Sequence, residues 1–269
     1  MKPTILLYDS GMGGLTVYSS IRQLLPDAHY LYCFDNAYFP YSEKSEGVLV
    51  ERAVQIVQKI AKNYPIDLVV VACNTASTVV LNALRGEFDF PIVGTVPAIK
   101  PASVLSQTRV IGLLATKGTI ARPYVDQLIE QYASDCQIEK IGTTELVELV
   151  EEKILKDRVD KEQLAKIVAP WQANSMMDTV ILGCTHFPLV KNELQLLLPQ
   201  VKYFIDSGNG IANRVFHLLS GRERNLLDCY EEKNKKKENV AFCTWGLADE
   251  QQRKKIMQDW GFQALLVIE

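Results

Sequence analysis

The amino-acid sequence predicts an α/β fold with two related lobes, each a mostly parallel sheet flanked by helices. Apolar, β-rich runs that end in small polar residues alternate along the chain with helical patterns, which is typical of βαβ units and parallel sheets. The second observation is an internal repeat. VVVACNT, which contains Cys73, recurs in the second half as VILGCTH, which contains Cys184, and LLYDSG near the start recurs as YFIDSG at Asp206. This repetition indicates two lobes of related layout.

The predicted strands are short, and most are followed by Asp, Ser, Asn, Gly or Thr. In chain order they are Thr4–Tyr8, Tyr30–Phe34, Leu68–Ala72, Pro91–Gly94, Val110–Leu114, Ile138–Ile141, Thr179–Leu182 and Phe204–Ile205. We assign residues 1–97 to a first lobe, completed by the C-terminal segment 209–269, and residues 98–208 to a second lobe. Because open parallel sheets bind ligands beside the carboxyl ends of their strands, the polar residues there are the first candidates for a site.

Helical patterns separate these strands. They cover Leu15–Leu25, Ser45–Tyr64, Thr78–Arg85, Pro123–Ala133, Glu145–Leu155 and Lys161–Asn174. In the second of them, Val50, Val54 and Val57 recur at helical spacing. Residues Ala115–Thr119 are predicted to form a turn, and the charged run Glu231–Glu238 a solvated turn or surface insertion.

Composition and charge exclude several classes of protein. The 29 Lys and Arg residues nearly balance the 32 Asp and Glu residues, for a net charge of −3, whereas nucleic-acid binders normally carry a basic excess. The most apolar stretches, Leu68–Cys73 and Val110–Ala115, are far shorter than the about 20 residues of a membrane-spanning helix. The first residues, MKPTILLYDSG, lack the features of a signal peptide, so a cytoplasmic protein is expected.

The six cysteines do not suggest disulfides or a metal. A reducing cytoplasm disfavours disulfides, and no CxxC pair is present. With only three histidines in the chain, no metal site is expected. Cys33, Cys136, Cys229 and Cys243 are assigned no role, since an isolated cysteine usually behaves as a small hydrophobic residue.

Cys73 and Cys184 have different surroundings, because each follows a buried strand and precedes a helix start. A thiol in that position faces a pocket, and helix N-terminal dipoles and nearby N–H groups can favour its thiolate. His186 is close enough in sequence to influence Cys184. Asp9 could do the same for Cys73 if the first and third strands are neighbours. Two thiols in matched settings suggest a pair that acts across one pocket.

The glycine-rich turn DSGMGG, which begins at Asp9, follows a strand and precedes a helix. It lacks both the GxGxxG spacing and the GK[ST] ending of nucleotide loops, so a dinucleotide site is disfavoured. Its backbone N–H groups could instead hold a small carboxylate, while Asp9 pairs with an ammonium group. The alternative, that Asp9 and Ser10 only cap the following helix, stays open.

Two opposed thiols suit reversible proton transfer better than covalent catalysis. A covalent nucleophile needs one activated cysteine and leaves the second without a task. Proton transfer at one carbon from either face needs an acid and a base of similar strength on opposite sides. No cofactor motif is present, and no lysine has an evident Schiff-base context. Racemisation without a cofactor fits these residues best.

The chain resembles the glutamate racemases, which are cofactor-independent members of the aspartate/glutamate racemase family. The matching segments are DSGMGGLTV at Asp9–Val17, DNAYFPYSEKS at Asp35–Ser45, ACNTAS at Ala72–Ser77 and ILGCTHFPL at Ile181–Leu189. The resemblance implies pseudo-symmetric lobes with the active site in the cleft between them, and a homodimer. It also implies interconversion of L- and D-glutamate, with the D form used in peptidoglycan synthesis.

The resemblance also implies roles for individual residues. Cys73 would take the α-proton from D-glutamate and Cys184 from L-glutamate, while Asp9 and His186 tune the two thiols and Glu151 supports His186. The residues implied to bind substrate are Asp9, Ser10, Tyr41, Ser42, Asn74, Thr75, Thr116, Thr119, Thr185 and His186. No metal or other cofactor is implied.

Two segments depart from the pattern of these relatives. Their PYG is PYS here, with Ser42 in place of glycine, which a side chain tolerates unless φ must be positive. Their CP-LVPLVE is TTELVELVE at Thr143–Glu151, which leaves the conformation of that segment open.

Three alternatives remain at the level of sequence. An aspartate or hydantoin racemase would have the same two-thiol core. A non-catalytic binder would use the cleft without proton exchange at Cα. A one-cysteine hydrolase would form an acyl-enzyme and tolerate loss of the second thiol.

Overall fold

The computed structural model describes residues 2–220, 238–246 and 249–268. Cys229 and residues 231–237 of the charged run lie outside these ranges. The strands are β1 (Thr4–Asp9), β2 (His29–Phe34), β3 (Leu68–Val71), β4 (Ile92–Gly94), β5 (Val110–Ala115), β6 (Gln137–Gly142), β7 (Thr179–Leu182), β8 (Tyr203–Ile205), β9 (Val240–Cys243) and β10 (Ala264–Val267). They form two sheets in which every pair of neighbouring strands is parallel, as the alternation of strands and helices predicts.

The helices surround these sheets on both faces. They are α1 (Leu15–Leu24), α2 (Glu46–Ala61), α3 (Asn74–Ser77), α4 (Leu81–Glu87), α5 (Ile99–Leu105), α6 (Lys117–Ile120), α7 (Pro123–Tyr132), α8 (Glu145–Lys156), α9 (Lys161–Gln172), α10 (Lys191–Leu197), α11 (Gly208–Ser220) and α12 (Glu250–Asp259). Single 3₁₀ turns cover Tyr41–Glu43 and Phe187–Val190. Within the described ranges, no helix combines the length and apolar character that crossing a bilayer requires.

The first sheet has the strand order β10-β9-β2-β1-β3-β4, and β1 lies at its centre. Ile5 and Leu7 on β1 face one hydrophobic cluster, whereas Leu6 and Tyr8 face another on the opposite side. A parallel strand covered on both faces can be apolar at every position, which explains why this run shows no alternation. The register sets Tyr8 of β1 beside Val71 of β3, so the ends of the first and third strands are neighbours.

The second sheet has the order β6-β5-β7-β8. Hydrophobic clusters lie on both of its faces, one around Trp171 and Phe187 and the other around Ile111 and Val125. Helix α11 follows β8 and packs against α1 of the first sheet, so it connects the two halves of the fold. The arrangement is the two-lobed α/β fold that the repeat predicts.

Two segments differ from the sequence-based expectation. The helix predicted at Thr78–Arg85 is α4, which begins only at Leu81. The unpredicted helix α3 precedes it and begins directly after Cys73, whose Sγ accepts a hydrogen bond from the Ala76 N–H at 3.4 Å. The predicted turn at 115–119 contains helix α6, and Thr116 caps it by accepting the Thr119 N–H at 3.1 Å.

The C-terminal strands are a third feature, and the sequence pattern did not locate them individually. Strand β9 pairs with β2, and β10 pairs with β9, at the edge of the first sheet. The division of the chain into lobes at 97/98 and 208/209 stays a prediction.

Candidate active site

Polar contacts join the carboxyl ends of the two sheets, which face each other. Three of them connect a residue at or just after the end of a strand of the first sheet with a residue that follows a strand of the second. Thr185 Oγ1 donates to Asp9 Oδ2 at 3.0 Å, and Thr75 Oγ1 lies 3.0 Å from Thr116 Oγ1. Ser42 Oγ lies 3.1 Å from Thr144 Oγ1. These contacts bring most of the predicted site residues to one place.

Cys73 follows β3 and is only 6% exposed. Besides the Ala76 N–H, its Sγ has Ser10 Oγ at 3.7 Å. Burial raises the pKa of Cys73, the carboxylate of Asp9 raises it further, and the two donors only partly oppose this. The Ala76 N–H at the helix start favours the thiolate of Cys73, as expected, but desolvation outweighs it and the net pKa is raised.

Asp9 is fully buried at the end of β1. Its Oδ1 accepts the Ser10 N–H at 2.6 Å, and its Oδ2 accepts Thr185. Burial raises the pKa of Asp9, while the positive charge of His186 and the two hydrogen bonds oppose that rise. The carboxyl group thus lies between the two lobes and interacts electrostatically with both Cys73 and His186.

Cys184 follows β7, is 7% exposed, and starts a relay of side chains. Its Sγ lies 3.8 Å from His186 Nδ1, and His186 Nε2 lies 2.9 Å from Glu151 Oε1. Burial would lower the pKa of His186, but its contacts with Cys184 and Glu151 outweigh burial and raise it well above 6.5. Burial conversely would raise the pKa of Glu151, yet the hydrogen bond from His186 holds it below its usual value. The imidazolium–carboxylate pair is therefore the favoured form.

The glycine-rich turn contacts both His186 and Glu151. The N–H group of Met12 donates to Glu151 Oε1, and the backbone nitrogen of Gly13 lies 3.3 Å from His186 Nε2. A side chain at Gly13 would overlap the His186 ring, and one at Gly14 would overlap Asp9 Oδ2. The turn was predicted to hold a small carboxylate on its N–H groups; at Met12 the carboxylate received is that of Glu151.

A second group of polar side chains surrounds Cys73. Thr116 Oγ1 donates to Thr119 Oγ1 at 2.9 Å, and Thr75 contacts both hydroxyls. Asn74 Oδ1 is buried and finds no hydrogen-bond partner among the described residues. A buried acceptor without a donor is costly, so this atom is suited to receive a donor from a ligand.

The structure separates the side chain of Tyr41 from this group. Its hydroxyl donates to Asp35 Oδ2 at 2.6 Å and also contacts the hydroxyl of Tyr8. The side chain therefore anchors its loop to β1 and to Asp35 after β2. Asp35 also pairs with Arg52, which strengthens this anchor.

Neither departure from the racemase pattern disturbs the backbone. Outside glycine, the described residues with positive φ are Arg109 and Asp157, so Ser42 does not need glycine's freedom. The segment that begins at Thr143 enters α8 directly, because Thr143 Oγ1 accepts the Leu146 N–H at 3.2 Å. The segment thus places Glu151 on a regular helix.

Sequence reasoning missed Arg253 on α12, whose Nη1 lies 3.5 Å from Glu151 Oε2. No local motif surrounds it, and only the pairing of distant strands brings it to the site. A cavity of about 240 Å³ lies beside it, with Ser10, Gly11, Phe39 and Glu151 in its lining. No group of three or more His, Cys, Asp or Glu side chains within the described ranges could hold a metal ion.

Comparison with known proteins identifies relatives along the whole chain. The family model described as Asp/Glu/Hydantoin racemase matches residues 11–214. Glutamate racemase of Actinobacillus pleuropneumoniae serotype 5b (strain L20) is 70% identical over 267 residues, 98% of each chain. Glutamate racemase of Pasteurella multocida (strain Pm70) is 56% identical over 98% of this chain and 96% of its own.

Solved structures of glutamate racemases are also similar to this chain. The crystal structure of Escherichia coli glutamate racemase, in complex with L-glutamate and the activator UDP-MurNAc-Ala, superposes with a TM-score of 0.93 at 47% identity, covering 100% of this chain and 98% of that one. Glutamate racemase isoform RacE1 of Bacillus anthracis has a TM-score of 0.78 at 26% identity over 99% of this chain and 97% of its own. The family model matches three quarters of this chain, and the relatives above share its sequence and its two facing parallel sheets. The chain therefore belongs to the Asp/Glu/hydantoin racemase family.

Proposed function

We propose that this chain interconverts L- and D-glutamate without a cofactor, by two-base proton transfer at Cα. The observation that carries the proposal is the position of Cys73 and Cys184 at equivalent strand ends of two facing sheets. The charge of Cys184 acts on the pKa of Cys73, which supports their sharing one site. The 70% identity to a protein named glutamate racemase supports glutamate as the substrate.

The proposed active form has one thiol and one thiolate. In the L-to-D direction, the Cys184 thiolate accepts the α-proton from one face while the Cys73 thiol donates its proton to the other face. The reverse direction exchanges these roles, so each turnover leaves the number of protons on the enzyme unchanged. The protonated imidazole of His186, 3.8 Å from Cys184 Sγ, stabilises the thiolate.

The polar side chains around Cys73 would hold the substrate. Asn74 Oδ1 can accept from the α-ammonium group. The hydroxyls of Thr75, Thr116 and Thr119 can donate to a carboxylate, and Ser10, Ser42 and Thr185 are close to the same cleft. The carboxylate of Asp9 favours an ammonium group nearby. Holding both charged ends fixes Cα between the sulfurs, which is the condition for transfer from opposite faces.

The test is incubation of the purified chain with L-glutamate in deuterated water. Circular dichroism and mass spectrometry follow optical activity and isotope content together. We expect the optical signal to decay to zero while one deuterium enters at Cα. Exchange with aspartate but not glutamate would overturn the substrate, and no exchange with either would favour a binding protein. A trapped acyl-enzyme would favour the hydrolase.

The proposal includes a cytoplasmic homodimer that supplies D-glutamate for peptidoglycan synthesis. The dimer is tested by light scattering, in which a mass near that of the single 30.3 kDa chain would overturn it. Depletion of the chain in its host should be rescued by D-glutamate but not by L-glutamate. Failure of that rescue would remove the proposed role in the cell wall.

A further inference from the structure

The C-terminal helix α12 reaches across to α8, which carries Glu151. Gln252 on α12 donates to the carbonyl oxygen of Leu155 on α8, and one residue further Arg253 approaches Glu151. Arg253 Nη1 also lies 3.1 Å from Met12 Sδ in the glycine-rich turn. The guanidinium group therefore contacts the second lobe and the turn that begins after β1.

The two oxygens of Glu151 have different partners. Oε1 receives His186 Nε2 and the Met12 N–H, whereas Oε2 faces Arg253. The side chains of Glu151 and Arg253 are only 11% and 17% exposed. In so poorly solvated a place, the charge of Arg253 acts strongly on the carboxylate and, through it, on His186.

We propose that Arg253 is a positioning residue of the proton-transfer machinery, which holds Glu151 through Oε2 and thereby sets how firmly His186 keeps its proton opposite Cys184. This inference rests on the proposed function for its catalytic consequence, but the contact itself can be tested without it. Without the guanidinium group, the negative charge of Glu151 would act on His186 undiminished. The proton on His186 would then be held to higher pH.

Other charged groups face the same pair and must stay unchanged in the test. Cys184 follows β7 and contacts His186 Nδ1, and Asp9 at the end of β1 interacts with both His186 and Glu151. The hydroxyl of Tyr32 on β2 lies within the field of Glu151 and Asp9. Arg253 also lowers the pKa of Cys243 on β9, which burial and Glu250 raise. All these groups stay in place when Arg253 is replaced.

The variants are Arg253→Gln, Arg253→Lys and the matched control Lys254→Gln. Lys254 lies next on α12, pairs with Glu250 and is 46% exposed, so its loss removes an equal charge that does not face Glu151. The chain contains three histidines, which makes ¹⁵N-histidine NMR simple to interpret, and His186→Asn assigns the signal of interest. Thermal unfolding of each variant shows whether it is folded.

We expect the titration midpoint of His186 to move to higher pH by about one unit in Arg253→Gln. In Arg253→Lys the midpoint should return most of the way to that of the parent chain, and in Lys254→Gln it should equal that of the parent chain. The basic limb of the pH profile of kcat/KM should move in the same direction, because the active form needs His186 protonated, with KM changed by less than about twofold. Since the equilibrium constant of a racemisation is one, kcat/KM is equal in both directions and one profile suffices.

Two results separate the failure of this inference from that of the proposed function. A shifted His186 titration in a chain that does not racemise glutamate would keep the contact and overturn the function. Normal racemisation with a His186 titration and pH profile equal to those of Lys254→Gln would overturn the role of Arg253. A His186 that stays protonated over the whole accessible range in every variant, with equal basic limbs of the rate profile, would also overturn that role.

Discussion

At the scale of single residues, Cys73 is protonated in the closed site because burial and the Asp9 carboxylate raise its pKa. This suits both of its proposed tasks. The resting thiol is ready to donate in the L-to-D direction. When deprotonated, a thiolate with a raised pKa is a stronger base toward the weakly acidic proton at Cα. The cost is that such a thiolate is rarely populated.

The two thiols give the first prediction. Cys73→Ser and Cys184→Ser should each lower kcat/KM by about 10²–10⁴-fold, because a hydroxyl is a far weaker acid and base than a thiol. Both variants should unfold within about 1 kcal/mol of the parent chain, since Ser is similar in size. Racemisation rates and urea unfolding check this. A single variant at full rate would exclude the two-thiol mechanism.

Asp9 gives the second prediction, which concerns pH. Because the folded-state pKa of Asp9 is raised above its ordinary value of 3.8, ionisation of this group destabilises the fold. The loss of stability begins as pH rises through the ordinary value and is complete above the raised folded pKa. Asp9→Asn removes that loss: its amide oxygen can still accept the Ser10 N–H, and its amide nitrogen can donate to the Thr185 hydroxyl, which reverses that hydrogen bond.

We therefore expect Asp9→Asn to gain stability relative to the parent as pH rises from about 4 to 8, while racemisation falls. Urea unfolding at several pH values measures the difference between the two chains. Ser10→Ala is the control, because it leaves the carboxyl group in place. A difference in stability that does not change with pH would contradict the proposed ionisation.

At this scale the sequence predicted most of the candidate site. Cys73, Cys184, Asp9 and His186 follow strands, and the geometry of parallel sheets brings such residues to one edge. The sequence could not predict Arg253, because its contact with Glu151 depends on a helix near the other end of the chain. Nor could it predict the sign of the shift at Cys73, because desolvation depends on the whole surrounding fold.

At the scale of elements, the segments after β2 and β6 meet through Ser42 and Thr144. These are the positions at which the chain departs from the pattern of the racemases, Ser42 in place of glycine and Thr144 in the segment that lacks Cys-Pro. Their hydroxyls lie 3.1 Å apart and connect the two lobes. The pair is a small additional contact between the two lobes.

The third prediction tests this contact. Ser42→Ala and Thr144→Val should each raise KM about two- to fivefold, because a net hydrogen bond contributes about 1 kcal/mol. The double variant should be no worse than either single one, since both remove the same interaction. Ser103→Ala, which loses a hydrogen bond inside one lobe, is the control. Fully additive effects in the double variant would show that the two hydroxyls act independently.

Elements were predicted well where apolar strands are long enough to be covered on both faces. Helix α3 was missed because it is a single turn whose start depends on Cys73 as a cap, a contact that no periodicity reveals. Helix α6 was read as a turn for a similar reason, since Thr116 caps only four residues. Strands β9 and β10 have no motif and are defined by pairing with distant strands.

At the scale of the whole molecule, the lobes meet at the site through hydrogen bonds between small side chains. Such contacts can be broken and remade at modest cost, since water replaces them when the lobes separate. Apolar packing of α11 on α1 connects the halves elsewhere. Opening of the site would break these polar contacts and separate Phe39 from the hydrophobic cluster of the second lobe, against which it packs.

The fourth prediction follows from this. Alkylation of Cys73 and Cys184 should be slow, because both are nearly inaccessible, and Thr185→Val should accelerate both reactions by loosening the contact with Asp9. Cys136 is partly exposed and serves as the internal control. Mass spectrometry of each labelled cysteine measures the rates. Acceleration at Cys136 to the same degree would indicate general unfolding instead of opening.

The order of the strands has a consequence for biosynthesis. Strand β2 precedes the loop that carries Tyr41 and Ser42, and its outer edge is covered by β9, whose neighbour Thr244 donates to Asp35 beneath that loop. The ribosome synthesises β9 and β10 after all the other strands, so the growing polypeptide contains Cys73 and Cys184 before the first sheet can be completed. Nascent chains should thus be inert toward amino acids in the surrounding medium until translation is almost finished.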